Sequence, residues 1–358
     1  MDLNEATWMV RSLDESVSSL LLTEDNQVLA GGWDGRLVCW DQEGTLRWST
    51  QTNDRINSIA CNGATVVVAS GLHVVALDWD TGEQQWSKAL EGSADEVCWW
   101  QGDIIAISSV YDIEHNDFIE SAVWRFSERG DELWVERMDE RPWVMVEVDE
   151  TLYAGLGRPK CGLLDISSAP PFPHFLPPTS SPTTCGTGGR IRGLFGQTDG
   201  TVATHKGDVI STETGSVEHL TCMVSGFVAT TDEGHAVGRT PSGDECWTSK
   251  GPPVSAQVEA MVDQEASMLW LARNDGADST LEVWATDKGG RLASGKFSRI
   301  RSMSGHSERA AIGCEDGTVV VWERDLLQRR LSADQTEPST SLNERESVLQ
   351  AKLRALRG

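Results

Sequence analysis

Tryptophan recurs along the first part of this chain at intervals close to 40 residues. Trp8, Trp48, Trp86 and Trp134 are separated by 40, 38 and 48 residues. The last three each follow the glycine of a turn by four residues, and a short polar stretch then leads into a new apolar run. A period of about 40 residues built from strands and turns is typical of repeats that each form one four-stranded blade. The predicted fold class is therefore all-β, a β-propeller.

The repeats can be counted from their turns. In the clearest blade, alternation of apolar and polar residues predicts four strands, at residues 17–22, 27–32, 36–40 and 45–50. Turns between third and fourth strands, or their counterparts, are predicted near Gly44, Gly82, Gly130, Ser168, Gly215, Gly243, Gly289 and Arg324. Eight blades are predicted, and the short interval between Gly215 and Gly243 leaves seven as the alternative. Blade three carries an acidic insert at residues 111–121, which we interpret as a solvated loop.

The two ends of the chain are expected to close the ring. Trp8 leads into an inner strand as Trp48 does, yet no blade of its own precedes it. We predict that residues 6–12 form the outer strand of the last blade, because joining both chain ends in one sheet removes two open edges. In the alternative, Asp325–Leu331 completes that blade and residues 1–12 form a loose tail.

Charge and cysteine placement narrow the function classes. The 358 residues include 55 acidic and 30 basic ones, a formal net charge of −25. Such a chain repels phosphate backbones, so no nucleic-acid binding is expected. The acidic excess suits either a salt-rich environment or an ordinary cytosol. Eight scattered cysteines without Cys-x-x-Cys spacing indicate reduced thiols. With no secretory signal and no apolar stretch of membrane-spanning length, the predicted location is the cytoplasm.

Two repeat signatures are similar to known families. Residues 74–86 read Val-Val-Ala-Leu-Asp-Trp-Asp-Thr-Gly-Glu-Gln-Gln-Trp and resemble the repeat of pyrroloquinoline-quinone-type (PQQ-like) propellers. Residues 33–41 and 315–322 resemble WD-repeat blades. The resemblance covers roughly residues 8–330 and implies a ring fold with, most often, a protein-binding role. Quinone-dependent dehydrogenases of this kind are exported, bind calcium and carry an adjacent Cys pair. This chain has no such pair, so the resemblance implies a non-enzymatic member.

Patterns for catalysis or metal binding are weak. The insert at residues 111–121 holds carboxylates and His115, which suit a hard cation or zinc, but it lacks calcium-loop spacing and a central glycine. The sequence contains no Gly-x-Ser-x-Gly and no His-Glu-x-x-His, and its seven histidines are dispersed. Since nothing supplies a nucleophile with its base, we predict no enzyme activity, catalytic residue, metal or cofactor.

Acidic residues mark a candidate binding surface. They cluster in connections that share one rim of a propeller: Asp14-Glu15, Asp54, Asp95-Glu96 and Asp139-Glu140. We predict that this rim captures a basic protein partner, with Asp139 and Glu140 as candidate partner-binding residues. The opposite rim is acidic too, so the choice of rim stays open.

The C-terminal segment differs from the rest in charge and pattern. Residues 1–331 are assigned to the propeller, the polar residues 332–340 to a linker, and residues 341–358 to an amphipathic helix with capping-box spacing. That helix holds four basic and two acidic residues. Its candidate contact residues are Leu349, Leu353 and Leu356. They are expected to dock either on the chain's own ring or on a partner, for instance in oligomerisation.

The sequence therefore predicts a non-catalytic protein-interaction scaffold built on an acidic propeller. The alternative function is a quinoprotein-like protein that binds a small ligand or cofactor in its central channel.

Overall fold

The computed structural model describes residues 1–114, 116–188, 193–262, 267–286 and 289–336. Within these ranges the strands form eight antiparallel sheets of four strands each. Each sheet packs against the sheets before and after it, which gives an eight-bladed β-propeller. The predicted fold class is confirmed, and the seven-bladed alternative is wrong.

The first half of the chain supplies the closing strand and blades one to four. A short 3₁₀ turn, Leu3–Ala6, precedes strand β1 (Met9–Ser12). Blade one is β2 (Val17–Leu22), β3 (Val28–Gly32), β4 (Arg36–Trp40) and β5 (Leu46–Gln51). Blade two is β6 (Ile56–Cys61), β7 (Thr65–Ser70), β8 (His73–Asp78) and β9 (Gln84–Ala89). Blade three is β10 (Ser93–Trp100), β11 (Asp103–Asp112), β12 (Asp117–Phe126) and β13 (Glu132–Met138). Blade four is β14 (Pro142–Val148), β15 (Thr151–Leu156), β16 (Gly162–Asp165) and β17 (His174–Phe175).

The second half supplies the other four blades and one helix. Blade five is β18 (Thr183–Thr187), β19 (Leu194–Gln197), β20 (Thr201–Thr204) and β21 (Val209–Thr212). Blade six is β22 (Val217–Met223), β23 (Gly226–Thr231), β24 (His235–Arg239) and β25 (Glu245–Lys250). Blade seven is β26 (Val254–Ala260), β27 (Met268–Asp275), β28 (Asp278–Ala285) and β29 (Gly290–Ser298). Blade eight is β30 (Ile300–Gly305), β31 (Arg309–Cys314), β32 (Thr318–Glu323) and β1, and helix α1 (Arg324–Thr336) follows it.

The apolar core lies between the blades. Among the described residues it divides into eight clusters, and each cluster joins two neighbouring blades. Leu29 and Leu37 of blade one, for example, pack against Ile56 and Val66 of blade two. A single four-stranded sheet has no partner for its apolar faces, so a blade gains its core only from its neighbours.

Two of the recurring tryptophans, Trp48 and Trp86, pack on a glycine turn of the following blade. Trp48, on the outer strand of blade one, packs on Gly82 in the last turn of blade two. A Cβ atom on Gly82 would lie 2.6 Å from the Trp48 ring, and the φ of this glycine is +71°. The Trp48 indole N–H also donates to the Trp79 carbonyl, 2.9 Å away. Trp86 repeats the arrangement on Gly130 of blade three. This inter-blade contact therefore explains why glycine and tryptophan recur at a fixed spacing in the sequence.

The two ends of the chain close the ring in the same sheet. Strand β1 pairs antiparallel with β32, and Met9 lies opposite Val321. This confirms the prediction that residues 6–12 supply the outer strand of the last blade. The alternative, in which Asp325–Leu331 forms that strand, is wrong because these residues are helical. Leu327 of the helix is fully buried against blades seven and eight.

Other predicted segments fall differently. The insert of blade three is a hairpin of β11 and β12 rather than a loop, and most of its described residues are exposed, as predicted. Tyr111 and Phe118 pair across the strands and their rings meet. The turn predicted at Gly215 connects blades five and six, and the last turn of blade five is at Gly207. Asp95 and Glu96 lie within β10 and not in a connection.

The C-terminal boundaries differ in part from the expected ones. Helix α1 includes residues 332–336, which we had assigned to the linker. Residues 337–340 and the predicted helix at 341–358 lie outside the described residues, so the division of this region stays a prediction. In the part of the chain that the structure describes, no helix is long and apolar enough to cross a membrane.

Candidate interaction site on the upper rim

Each inner strand starts with the same irregularity. In each of the eight described blades, a β-bulge adds one extra residue within the first three residues of the inner strand. A bulge re-aims its side chain, here at one end of the central channel. We call this end the upper rim; it also carries the connections between successive blades. The eight bulge residues are Ser18, Asn57, Asp95, Trp143, Thr184, Glu218, Ser255 and Arg301.

In four blades the bulge residue is small and polar, and it bonds to the following blade. The Ser18 hydroxyl donates to the Ile56 carbonyl at 2.6 Å. The Asn57 amide donates to the Ala94 carbonyl at 2.7 Å. We call these contacts latches, because each joins the inner strands of two blades at the same level. The other two latches run from Thr184 to Val217 and from Ser255 to Ile300.

Blade four departs from this pattern. Its bulge residue is Trp143, whose side chain is 48% exposed. The Phe118 ring, from the hairpin of blade three, meets the Trp143 ring edge-on with centroids 5.9 Å apart, and the Tyr111 ring lies 5.1 Å from that of Phe118. The position that four other blades use for a latch therefore carries a half-exposed aromatic cluster in blade four.

Arg141 lies among these rings. Its guanidinium carbon is 3.7 Å from the centroid of Phe118 and 4.2 Å from that of Trp143. An ion pair of 3.3 Å connects it to Asp95, the bulge residue of blade three. Its Nε atom is buried and has no hydrogen-bond partner. Burial lowers the pKa of Arg141, and the Asp95 carboxylate opposes this shift. The cation is thus held by aromatic faces and one carboxylate.

A cavity of about 860 Å³ opens beside this cluster. Its wall combines the aromatic rings with exposed charges from blades three, four and six. The charged and aromatic lining residues are Asp117, Phe118, Asp139, Arg141, Trp143, Arg158 and Glu218. A cavity of this size, with aromatic rings and charges of both signs in its wall, suits a side chain or a short segment of a ligand.

Glu96 lies below the cluster, in the wall of a second cavity that Arg141 and Trp143 also line. Its carboxylate accepts a hydrogen bond of 3.2 Å from the Met145 backbone N–H. Burial, with a smaller contribution from the nearby charge of Asp95, raises the pKa of Glu96 to about 7. Burial and the neighbouring Glu96 also raise the pKa of the Cys98 thiol to about 12. Cys98 is therefore a protonated thiol and not a nucleophile.

The candidate residues of the sequence analysis differ in how they lie relative to the large cavity. Asp139 is exposed and lines the large cavity. Glu140 is half-buried and is not one of the lining residues. The remaining candidates lie outside the described residues: Leu349, Leu353 and Leu356. That any of these five binds a partner stays a prediction.

Sequence reasoning missed the residues at the centre of the site. Phe118 was assigned to a solvated loop, and neither Arg141 nor Trp143 was singled out. One signal was available in principle. The first residues of the inner strands align as Val-Ser-Ser, Ile-Asn-Ser and Val-Ser-Ala in blades one, two and seven, but as Pro-Trp-Val in blade four. Among the eight bulge residues of the described blades Trp143 is the only aromatic one, and the others are polar or charged. An aromatic residue at this position is the departure to look for.

Comparisons with known proteins agree with the fold. Residues 3–142, the closing strand and the first three blades, match the family described as outer membrane protein assembly factor BamB. The crystal structure of BamB from Moraxella catarrhalis superposes with a TM-score of 0.71 at 15% identity, and 88% of this chain covers 97% of that one. The crystal structure of Saccharomyces cerevisiae Sqt1 superposes with a TM-score of 0.71 at 10% identity. The match covers 89% of this chain and 98% of Sqt1. The computationally designed Ika8 protein gives 0.63 at 16% identity, with 87% and 98% covered.

The repeats and these likenesses define the class of protein. The chain is an eight-bladed β-propeller whose repeats resemble those of PQQ-like and WD-repeat propellers. No curated protein matches it in sequence.

Proposed function

We propose that this protein is a non-catalytic protein-interaction scaffold that binds its partner on the upper rim around Trp143. The observation that carries the proposal is the half-exposed cluster of Trp143, Phe118 and Arg141 beside the large cavity. Aromatic residues and arginine dominate the binding energy of protein interfaces. In blade four such residues occupy the position that four other blades use for a latch. The family matched by the first three blades is described as an assembly factor, which favours interaction over catalysis.

The charges of the site favour a basic partner protein over a nucleic acid. The exposed carboxylates of Asp117, Asp139 and Glu218 line the cavity, and the whole chain carries a net charge of −25. A phosphate backbone would be repelled by both. A positively charged protein surface would be steered toward this rim.

The proposal places the scaffold in the cytoplasm. All eight cysteines, each within the described residues, are free thiols. Several are buried between the blades, where a small chain in an oxidising compartment would more often carry disulfides. The predicted C-terminal helix remains part of the proposal as a second contact, either in cis or with another molecule.

Replacement of Trp143 by alanine is expected to abolish most partner binding. A central interface tryptophan commonly contributes more than 2 kcal/mol, so recovery of the partner should fall by at least about tenfold. The measurement is affinity purification of the full chain from native lysate, with quantitative mass spectrometry of the proteins recovered. The fold should persist, because the Trp143 side chain is half exposed.

Trp33→Ala is the matched control. Trp33 lies in blade one, is 45% exposed, and carries the Arg55 guanidinium 4.4 Å from its ring centroid. It therefore reproduces the chemistry of Trp143 without the large cavity. We expect the Trp33 variant to retain the partner. Equal recovery of the partner with the wild type, Trp143→Ala and Trp33→Ala would show that Trp143 does not contact the partner.

The quinoprotein-like alternative predicts a different result from the same proteins. A cofactor or small ligand held in the central channel would raise the melting temperature of the wild-type protein by several degrees in a thermal-shift screen. A reproducible shift of this kind, together with partner recovery that is unaffected at Trp143, would favour the alternative.

A further inference from the structure

Arg141 has fewer hydrogen-bond acceptors than its burial requires. A guanidinium carries five N–H donors, and the described contacts of Arg141 comprise one 3.3 Å ion pair and two aromatic faces. Arg239, which is buried to a similar degree, donates three hydrogen bonds, two to Glu213 and one to the Gly243 carbonyl. A buried donor without an acceptor destabilises the free protein. The Nε atom itself is enclosed, but the Arg141 side chain is 19% exposed and lines the large cavity. An oxygen atom of a ligand in that cavity can therefore accept a hydrogen bond from a terminal nitrogen of the guanidinium.

The groups around Arg141 define what else such a ligand carries. Exposed carboxylates face the same cavity from blades three, four and six: Asp117, Asp139 and Glu218. They outnumber the exposed guanidinium of Arg158 on the same wall, and they favour a positive charge close to the acceptor oxygen. The exposed faces of Trp143 and Ile119 favour an apolar group between the two. A free carboxylic acid supplies the acceptor oxygen but neither the positive charge nor the apolar group. The negative charge of a phosphate-bearing ligand would be repelled by the carboxylates of the cavity.

An extended peptide satisfies all three requirements at once. Its backbone carbonyls are acceptors for the Arg141 guanidinium, an apolar side chain packs on Trp143, and a neighbouring lysine or arginine reaches the carboxylates. We propose, building on the proposed function, that this site binds an extended basic-and-apolar segment of the partner, with Arg141 as the residue that receives its backbone. The partner class is therefore a protein with an exposed segment of this composition.

The test uses a phage-displayed library of random twelve-residue peptides, selected on the full chain. The expected result is enrichment of peptides in which lysine or arginine alternates with apolar residues. Synthetic versions of the enriched peptides are then measured by fluorescence polarisation. Arg141→Lys keeps the charge beside Asp95 but loses the planar fork of donors, and it should weaken binding by about tenfold. Its melting temperature should stay within a few degrees of the wild type.

A surface pair keeps the test independent of Arg141. Asp139→Lys reverses a charge that lines the cavity and should weaken the same peptides by about tenfold, whereas Glu140→Lys, next in the chain but outside the lining, should stay within about twofold. Enrichment of acidic peptides, absence of any enriched peptide, or equal affinities for all variants would overturn the inference. Trp143-dependent recovery of a partner from lysate would then still stand, so the two proposals fail separately.

Discussion

Removal of residues 1–12 is expected to lower the midpoint of thermal unfolding by at least about 5 °C. The deletion takes away β1, exposes the edge of β32, and removes Leu3, Ala6 and Met9 from the core. Burial of Leu3 and Met9 alone contributes about 4 kcal/mol. With an unfolding entropy of about 2.1 cal/mol/K per residue, each kcal/mol corresponds to roughly 1–1.5 °C in a chain of this size. Differential scanning calorimetry of the full and shortened chains measures the difference.

Two substitutions in the same segment provide the control. Leu3 is fully buried, and Leu3→Ala is expected to lower the free energy of unfolding by about 3 kcal/mol. Val10 is 52% exposed on β1, and Val10→Ala should change it by less than about 0.5 kcal/mol. A shortened chain that melts at the temperature of the full one would show that the ring does not depend on this closure.

Glu96→Gln is expected to stabilise the protein at pH 8 by about 2 kcal/mol and to change little at pH 4.5. Burial raises the pKa of Glu96 to about 7, from 4.5 for an ordinary glutamate. Between these two values the folded chain holds a proton that the unfolded chain has released. Its contribution to stability is therefore present at low pH and is lost as the pH rises toward 7. Glutamine keeps an acceptor for the Met145 N–H and removes the buried charge.

The measurement is the free energy of unfolding in urea at both pH values. Glu147→Gln is the matched control, because Glu147 lies on the neighbouring inner strand β14 with its side chain exposed. It should change the stability by less than about 0.5 kcal/mol at pH 8. A gain of the same size at both pH values for Glu96→Gln would mean that packing, and not ionisation, is responsible.

The blades and the ring closure were predictable because their determinants repeat along the chain. Trp48 and Trp86 stand four residues after a glycine because each must dock on the glycine turn of the following blade. The packing of a tryptophan on the glycine turn of the next blade accounts both for the spacing in the sequence and for the contact between blades. The spacing alone therefore predicts a ring of blades. Closure followed from Trp8, whose position before an inner strand required a strand with no blade of its own.

The aromatic cluster and the buried Glu96 beside it were not predictable because their positions depend on contacts between blades. Phe118 reaches Trp143 only because β11 and β12 extend beyond the length of the other hairpins. Trp143 points to the rim only because of a bulge, which shifts the alternation of β14 by one residue. Glu96 looked like a surface acid beside Asp95, and its burial depends on the inner strand of the next blade. These contacts join residues of different strands and blades, and the sequence around each residue does not reveal them.

The pairing of β1 with β32 also determines when the fold can be completed during synthesis of the chain. The Trp322 indole donates to the Leu3 carbonyl, a contact that spans 319 residues. On the ribosome, the first strand must therefore wait for almost the entire polypeptide to be synthesised. For all of that time the nascent chain exposes unpaired edges, when aggregation is the main hazard. Its strong negative charge keeps neighbouring nascent chains apart until the last blade emerges.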